Sequence, residues 1–149
     1  MNFSEYQAMT LRRDGRVLYA TFNRPETLNA INRELQYDLD RLFSEVAEDD
    51  ETHVLVITGA GRAFSAGGDV EYMQQAIDNP ADFIRESEKG KQRIFTMLDC
   101  PKPVIAKING ACAGLGATVA LFCDIVFAAN HAKISDPHVQ VGYSAGDGG

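Results

Sequence analysis

Two glycine-rich stretches carry the residues that could do chemistry. Ser65-Ala66-Gly67-Gly68-Asp69 follows the apolar run Val54-Leu55-Val56-Ile57, and Asn109-Gly110-Ala111-Cys112-Ala113-Gly114-Leu115-Gly116 follows Val104-Ile105-Ala106. Each stands where a buried strand is expected to hand over to a helix. Glycine there permits a sharp turn and lets a ligand come close to the backbone. The first turn of a helix leaves N–H groups without intrahelical acceptors, at the positive end of the helix dipole. Two such ends aimed at one point would form an oxyanion hole, a fixed pair of donors for a carbonyl that becomes an enolate.

The elements that must position these turns alternate along the chain. Met9-Thr10-Leu11-Arg12, the turn Asp14-Gly15, and Arg16 to Asn23 read as a hairpin ended by Pro25. Leu35, Leu39, Leu42, Phe43 and Val46 recur at helical spacing, predicting a helix over 32–47 with Asn32 as its cap. Residues 54–58 form a continuous apolar run, as in a strand buried on both faces. A loop over 59–68, a short helix over 69–76 and a longer one over 81–98 are expected next. The highly charged middle of that longer helix, Arg85 to Arg93, is expected to be exposed. Strands over 104–108, 125–129 and 133–135 flank a small-residue helix over 115–122. Strands alternating with helices indicate an α/β fold.

Composition limits the function classes. A chain of 149 residues supports one domain, 1–149, with a real core. The net charge of −7 argues against a general nucleic-acid or anionic-membrane binder. A phosphorylated small ligand stays open, because a few N–H groups and one or two cations suffice locally. No apolar run is long enough to span a bilayer, and Met1-Asn2-Phe3-Ser4-Glu5-Tyr6 lacks a basic, then apolar, leader pattern. A cytoplasmic location is therefore expected. The three cysteines and three histidines lack metal-ligand spacing, so buried thiols and no metal site are expected. Asp49-Asp50-Glu51 reads as solvated surface, and Asp124 as a structural hydrogen-bond acceptor. Arg62 and Lys102 are loop cations that could meet a phosphate, solvation being their commoner fate. His53 and His131 read as surface residues, and Tyr143 and Ser144 as either pocket lining or loop decoration.

Taken in order, Asn23-Arg24-Pro25 with Leu28-Asn29-Ala30, Val56-Ile57-Thr58-Gly59, Ala63 to Asp69, Lys102 to Ala106, Asn109-Gly110, Gly114-Leu115-Gly116, Cys123-Asp124-Ile125 and Asp136-Pro137-His138 resemble the crotonase (enoyl-CoA hydratase/isomerase) superfamily. The resemblance covers almost the whole chain and implies a spiral of β-β-α turns, without the family's usual C-terminal helical region. It also implies an acyl-CoA thioester substrate, so that coenzyme A enters as part of the substrate and no covalently bound cofactor is needed. A homotrimer or hexamer, a lyase or isomerase activity and a place in fatty acid metabolism follow from the same resemblance. By position, the oxyanion donors fall on the amides of Gly68 and Leu115. Substrate contacts fall near Leu28, Ala30, Ala66, Asp69, Thr118 and Pro137.

The departures from the family pattern concern the proton chemistry. The two glutamates that add water in typical hydratases align with Thr118 and His138. Threonine is no general base at neutral pH, so His138 becomes the expected acid/base group. Asp147 lies nine residues later and could orient its imidazole. A His138–Asp147 pair resembles the superfamily's β-diketone hydrolases, which cleave a C–C bond by a retro-Claisen step. The alternatives to an acyl-CoA enzyme are therefore such a hydrolase and a non-catalytic remnant.

Overall fold

In the computed structural model, which describes residues 1–142 and 144, strands β1 (Met9–Asp14) and β2 (Val17–Phe22) form the expected antiparallel hairpin. Its turn contains Gly15, at φ +56°. Helix α1 (Arg33–Glu48) follows, capped by Asn32, whose side chain accepts the Leu35 N–H at 3.0 Å. Its apolar stripe, Leu35, Leu39, Leu42, Phe43 and Val46, is fully buried.

From there each repeat supplies one strand to each of two sheets and then turns into a helix. Strands β3 (Val54–Gly59) and β4 (Ala63–Ser65) precede α2 (Val70–Asp78) and α3 (Pro80–Leu98). Strands β5 (Val104–Ile108) and β6 (Ala111–Ala113) precede α4 (Leu115–Leu121). Strands β7 (Ile125–Ala128) and β8 (Lys133–Ser135) precede a short 3-10 turn, His138–Val141. The larger sheet has the order β1-β2-β3-β5-β7 and the smaller β4-β6-β8, with every pairing after the hairpin parallel. This is an α/β spiral of β-β-α turns, as the family resemblance implied.

Several local expectations are corrected. The segment 59–68 is not all loop: it contains β4, and the second glycine stretch contains β6. Both are three residues long and lie inside glycine-rich turns, so neither has a periodic pattern of its own. Gly59 and Gly110 allow these crossings. A Cβ on Gly110 would stand 2.0 Å from the Arg62 carbonyl oxygen, and one on Gly59 2.3 Å from that of Ala63. The charged middle of α3 is not uniformly exposed. Arg93 is 4% exposed and its Nε donates to Asp40 at 2.5 Å, tying α3 to α1. Lys102 is half-buried and engaged within the protein. Its Nζ donates to the carbonyls of Val46 and Asp49 at 2.6 Å each, satisfying the C-terminal end of α1. Asp49 is also engaged, accepting from Arg13 at 2.7 Å. Burial raises its carboxyl, but the Thr52 hydroxyl and the Arg13 guanidinium outweigh this and hold it below the usual range.

Cys112 and Cys123 are buried free thiols, and Cys100 is half-buried. Burial pushes the Cys112 thiol up to about 11 and the Cys123 thiol up to about 12, so both are protonated at neutral pH. Asp124 is the structural acceptor expected of it, taking the Val104 N–H at 2.8 Å. Among the described residues, no helix is long and apolar enough to cross a membrane.

Among the described residues, one edge of the fold is apolar and exposed. Strand β7 lies at the end of the larger sheet with all four residues exposed, Phe127 at 61%. Leu121, Phe122 and Ile134 are exposed nearby in the chain order of the last repeat. A patch of this kind on an edge strand favours association. This chain is therefore expected to enhance the fluorescence of an apolar dye such as ANS, and Phe127→Glu to weaken that signal. A native chain that leaves the dye dark would show that this face is covered.

Candidate active site

The two glycine turns meet. A Cβ on Gly114 would lie 3.6 Å from the Gly67 Cα, and one on Gly67 would lie 3.1 Å from the Ala113 carbonyl oxygen. Parallel pairing of β4 with β6, with Ser65 opposite Cys112, brings them into register. Gly67 at φ +92° and Gly114 at φ +48° occupy backbone regions that residues with a Cβ rarely adopt. Gly116, in the first turn of α4, leaves just enough space for Ser65: a Cβ there would be 2.5 Å from the Ser65 Cβ.

Among the described residues, neither the Gly68 nor the Leu115 N–H donates to a protein acceptor. Gly68 is exposed and Leu115 half-buried. Three neighbouring donors, by contrast, are engaged. The Gly67 N–H donates to Ser65 Oγ at 3.2 Å, the Asp69 N–H to the Ile31 carbonyl at 3.1 Å, and the Gly114 N–H to the Ser135 carbonyl at 3.2 Å. The Gly68 and Leu115 N–H groups thus lie without a protein acceptor on the two turns that meet.

The loop from Arg24 to Ile31 is strapped to the first of these turns. The Ala66 N–H donates to the Leu28 carbonyl at 3.0 Å, and the Ile31 N–H to the Gly67 carbonyl at 2.7 Å. Leu28 and Asn29 sit at φ +55° and +56°. The buried Asn29 side chain holds this bend, accepting the Arg24 N–H at 2.9 Å and donating to the carbonyls of Ala60 and Ala63 at 2.9 Å each. Its own carbonyl accepts from Ser65 Oγ at 2.8 Å. Leu28, Ala30, Ala66, Gly68 and Asp69 are therefore brought together. Asp69 caps α2 through the Glu71 and Tyr72 N–H groups and pairs with Arg24 at 3.0 Å. This fixes the helix start that places the Met73 side chain over Gly68, its sulfur 3.3 Å from where a Cβ would be.

The second turn carries Leu115 and Thr118. Thr118 is buried and its hydroxyl donates to the Gly114 carbonyl at 3.4 Å, so it supports the turn. Pro137 and His138 follow β8, which pairs with β6, and the bond from the Gly114 N–H to Ser135 ties this segment to the same turn. His138 is in contact with Asp136 through its Nδ1, and its backbone N–H donates to the same Asp136 Oδ1 at 3.1 Å. Asp136 is a residue that sequence reasoning passed over. Its signal was a carboxylate two residues before the histidine, across a proline. Those two bonds, the backbone one first, hold the Asp136 carboxyl below the usual carboxylate range. Its contribution to stability is thus full above the ordinary value of 3.8 and is lost as pH falls through the lower folded value. Asp147 and Tyr143 lie outside the described residues, and Ser144 is exposed. Arg62 and His131 are exposed, as is His53, whose Nε2 lies 2.7 Å from Arg16. Among the described residues no group of three or more His, Cys, Asp or Glu side chains could hold a metal ion.

The family model described as Enoyl-CoA hydratase/isomerase matches residues 12–149. The chain belongs to the enoyl-CoA hydratase/isomerase family. It is similar to the short-chain-enoyl-CoA hydratase of Clostridium acetobutylicum, with 34% identity over 147 residues, covering 97% of this chain and 55% of the relative. It is also similar to the mitochondrial Delta(3,5)-Delta(2,4)-dienoyl-CoA isomerase of Mus musculus, with 35% identity over 138 residues, covering 87% of this chain and 42% of the relative. Among solved structures, an enoyl-CoA hydratase/isomerase from Mycobacterium paratuberculosis superimposes with a TM-score of 0.91 at 40% identity, over 95% of this chain and 57% of that one. The crotonase-like fold is therefore shared along nearly the whole chain. The chain spans about half the length of the curated relatives it matches. Hydratases and isomerases both appear among these family members, so membership by itself does not choose between water addition and double-bond migration.

Proposed function

We propose that this chain carries the thioester-binding half of an acyl-CoA lyase or isomerase. The Gly68 and Leu115 amides serve as donors to the thioester oxygen as it becomes an enolate oxygen, and His138 moves the proton. The observation that carries this reading is the meeting of the two glycine turns with these two amides unengaged. A preorganised donor of this kind typically lowers the barrier by ~2.7–4 kcal/mol, because it needs no reorientation as charge develops. The side chain at 115 leaves the N–H intact, so leucine there is compatible with the role.

Loss of a proton beside the thioester carbonyl gives an enolate, and reprotonation at another carbon migrates the double bond. An imidazole suits both transfers near neutrality. Thr118 supports the turn and exchanges no proton. Leu28, Ala30 and Ala66 line the approach to Gly68, and Pro137 sets the chain ahead of His138. Asp69 organises the α2 start and holds Arg24. Coenzyme A enters as part of the substrate, with no further cofactor and no metal in the mechanism, and the assembly is a homotrimer or hexamer in the cytoplasm.

Calorimetric titration with crotonyl-CoA, with free coenzyme A as the control, tests the reading. Tighter binding of the thioester than of coenzyme A alone is expected. Equal affinity for the two would leave the amides no part in recognition. Turnover of a cyclic β-diketone in the absence of coenzyme A would assign the site to C–C bond hydrolysis instead.

A further inference from the structure

We propose that Met73 is a modification site: hydrogen peroxide converts its thioether to the sulfoxide, and the new oxygen accepts the Gly68 N–H. The Met73 sulfur lies 3.3 Å from where a Gly68 Cβ would stand, with its Cγ at 3.6 Å and its Cε at 3.8 Å. The end of the side chain therefore rests on the Gly68 backbone. The Gly68 N–H has no protein acceptor, and Gly68 is exposed to solvent and so to peroxide.

Burial separates Met73 from the other methionines. The chain has four. Met9 and Met97 are each 4% exposed and belong to the core, which shields their sulfurs. Met1 is 39% exposed and lies beside Glu45 and Glu48. Met73 is half-buried, in the first turn of α2, with its sulfur at a glycine turn. Helix α2 contributes no buried residue, so an added oxygen need not open the core.

The step balances. A sulfur lone pair attacks one peroxide oxygen, and the S–O bond forms as the O–O bond breaks. The departing hydroxide takes the proton of the transferred hydroxyl and leaves as water. Sulfur loses two electrons and the peroxide gains them. An apolar side chain has then become polar, with an oxygen that accepts hydrogen bonds. The Cβ position used above is about 2.5 Å from the Gly68 nitrogen by covalent geometry, so sulfur and amide are neighbours around one Cα. The rotatable bonds of methionine let it turn the oxygen to the N–H. Because that N–H is assigned above to the thioester oxygen, the sulfoxide competes with substrate. This consequence rests on the acyl-CoA reading; the oxidation and the bond to Gly68 do not.

Peroxide treatment of this chain, followed by peptide mass spectrometry and amide NMR, tests the proposal. Met73 should gain one oxygen while Met9 and Met97 stay intact. The Gly68 amide should then shift downfield and exchange more slowly with water, and methionine sulfoxide reductases should reverse both changes. The same treatment of Met73→Leu, which retains Met1, should leave its Gly68 amide where it was. Turnover of an enoyl-CoA ester should fall about 10²–10³-fold on oxidation, the loss of one oxyanion donor, and return on reduction. A Met73 as resistant to peroxide as Met9 and Met97 would overturn the proposal. So would an oxidised Met73 with the Gly68 amide unmoved, or a Gly68 response that persists in Met73→Leu. A captured amide with full turnover would uphold the modification and overturn the oxyanion role of Gly68 instead.

Discussion

His138→Ala is expected to lower turnover of an enoyl-CoA ester about 10²–10⁴-fold, the usual worth of general acid–base help. Thioester affinity should stay nearly unchanged, because the thioester oxygen is assigned to backbone donors that the substitution leaves in place. Thr118→Ala should cost far less. Its hydroxyl makes one bond at 3.4 Å to the Gly114 carbonyl, and that carbonyl already accepts the Thr118 N–H at 3.0 Å. Steady-state kinetics of the two variants side by side make the comparison. Full activity in His138→Ala would place the proton chemistry on another residue.

The second large effect is expected at Gly116, which has no role in chemistry and a strong one in geometry. An added methyl would stand 2.5 Å from the Ser65 Cβ and 2.7 Å from its Oγ, and both residues are buried. Neither side can retreat easily. Ser65 is held by Asn29 and Gly67, and Gly116 lies in a helix packed on β6. Overpacking of this sort costs about 1–3 kcal/mol of stability. Relief by moving α4 would carry the Leu115 amide away from the Gly68 turn. Loss of one oxyanion donor lowers the rate about 10²–10³-fold. Gly116→Ala should therefore melt earlier and also lose kcat while still folded. Gly90→Ala is the matched control: nothing lies within 4 Å of its added Cβ, and alanine in a helix interior is favoured by roughly 0.5–1 kcal/mol. If the two variants melt and turn over alike, the close approach of α4 to Ser65 has no importance.

Much of this was legible in the residues. The stripe Leu35, Leu39, Leu42, Phe43 and Val46 fixed α1 because a helix with one buried face must repeat that way. The apolar run from Val54 and the small-residue segment from Leu115 were equally readable, each for its own burial. What escaped was of two kinds. Strands β4 and β6 are too short to alternate, and their identity comes from pairing with each other across about fifty residues of sequence. The fates of Lys102, Arg93 and Asp49 were hidden because a charge run reveals nothing of which carbonyl or carboxylate the fold will bring to it. Lys102 reaches the end of a helix finished more than fifty residues earlier. At the site, the family resemblance gave Gly68 and Leu115 as donors, and the structure shows that the two glycine turns carrying them meet. His138 was singled out by its place in the motif, while its contact with Asp136 depends on a turn conformation that spacing alone does not specify.

The central claim is that the Gly68 and Leu115 amides share one acceptor. The most direct measurement is a crystal structure of the protein with acetoacetyl-CoA bound. Both nitrogens should lie about 2.7–3.1 Å from the thioester oxygen, the range that oxyanion donors require. A thioester oxygen seated elsewhere, or the two amides directed to different faces of the molecule, would contradict the account.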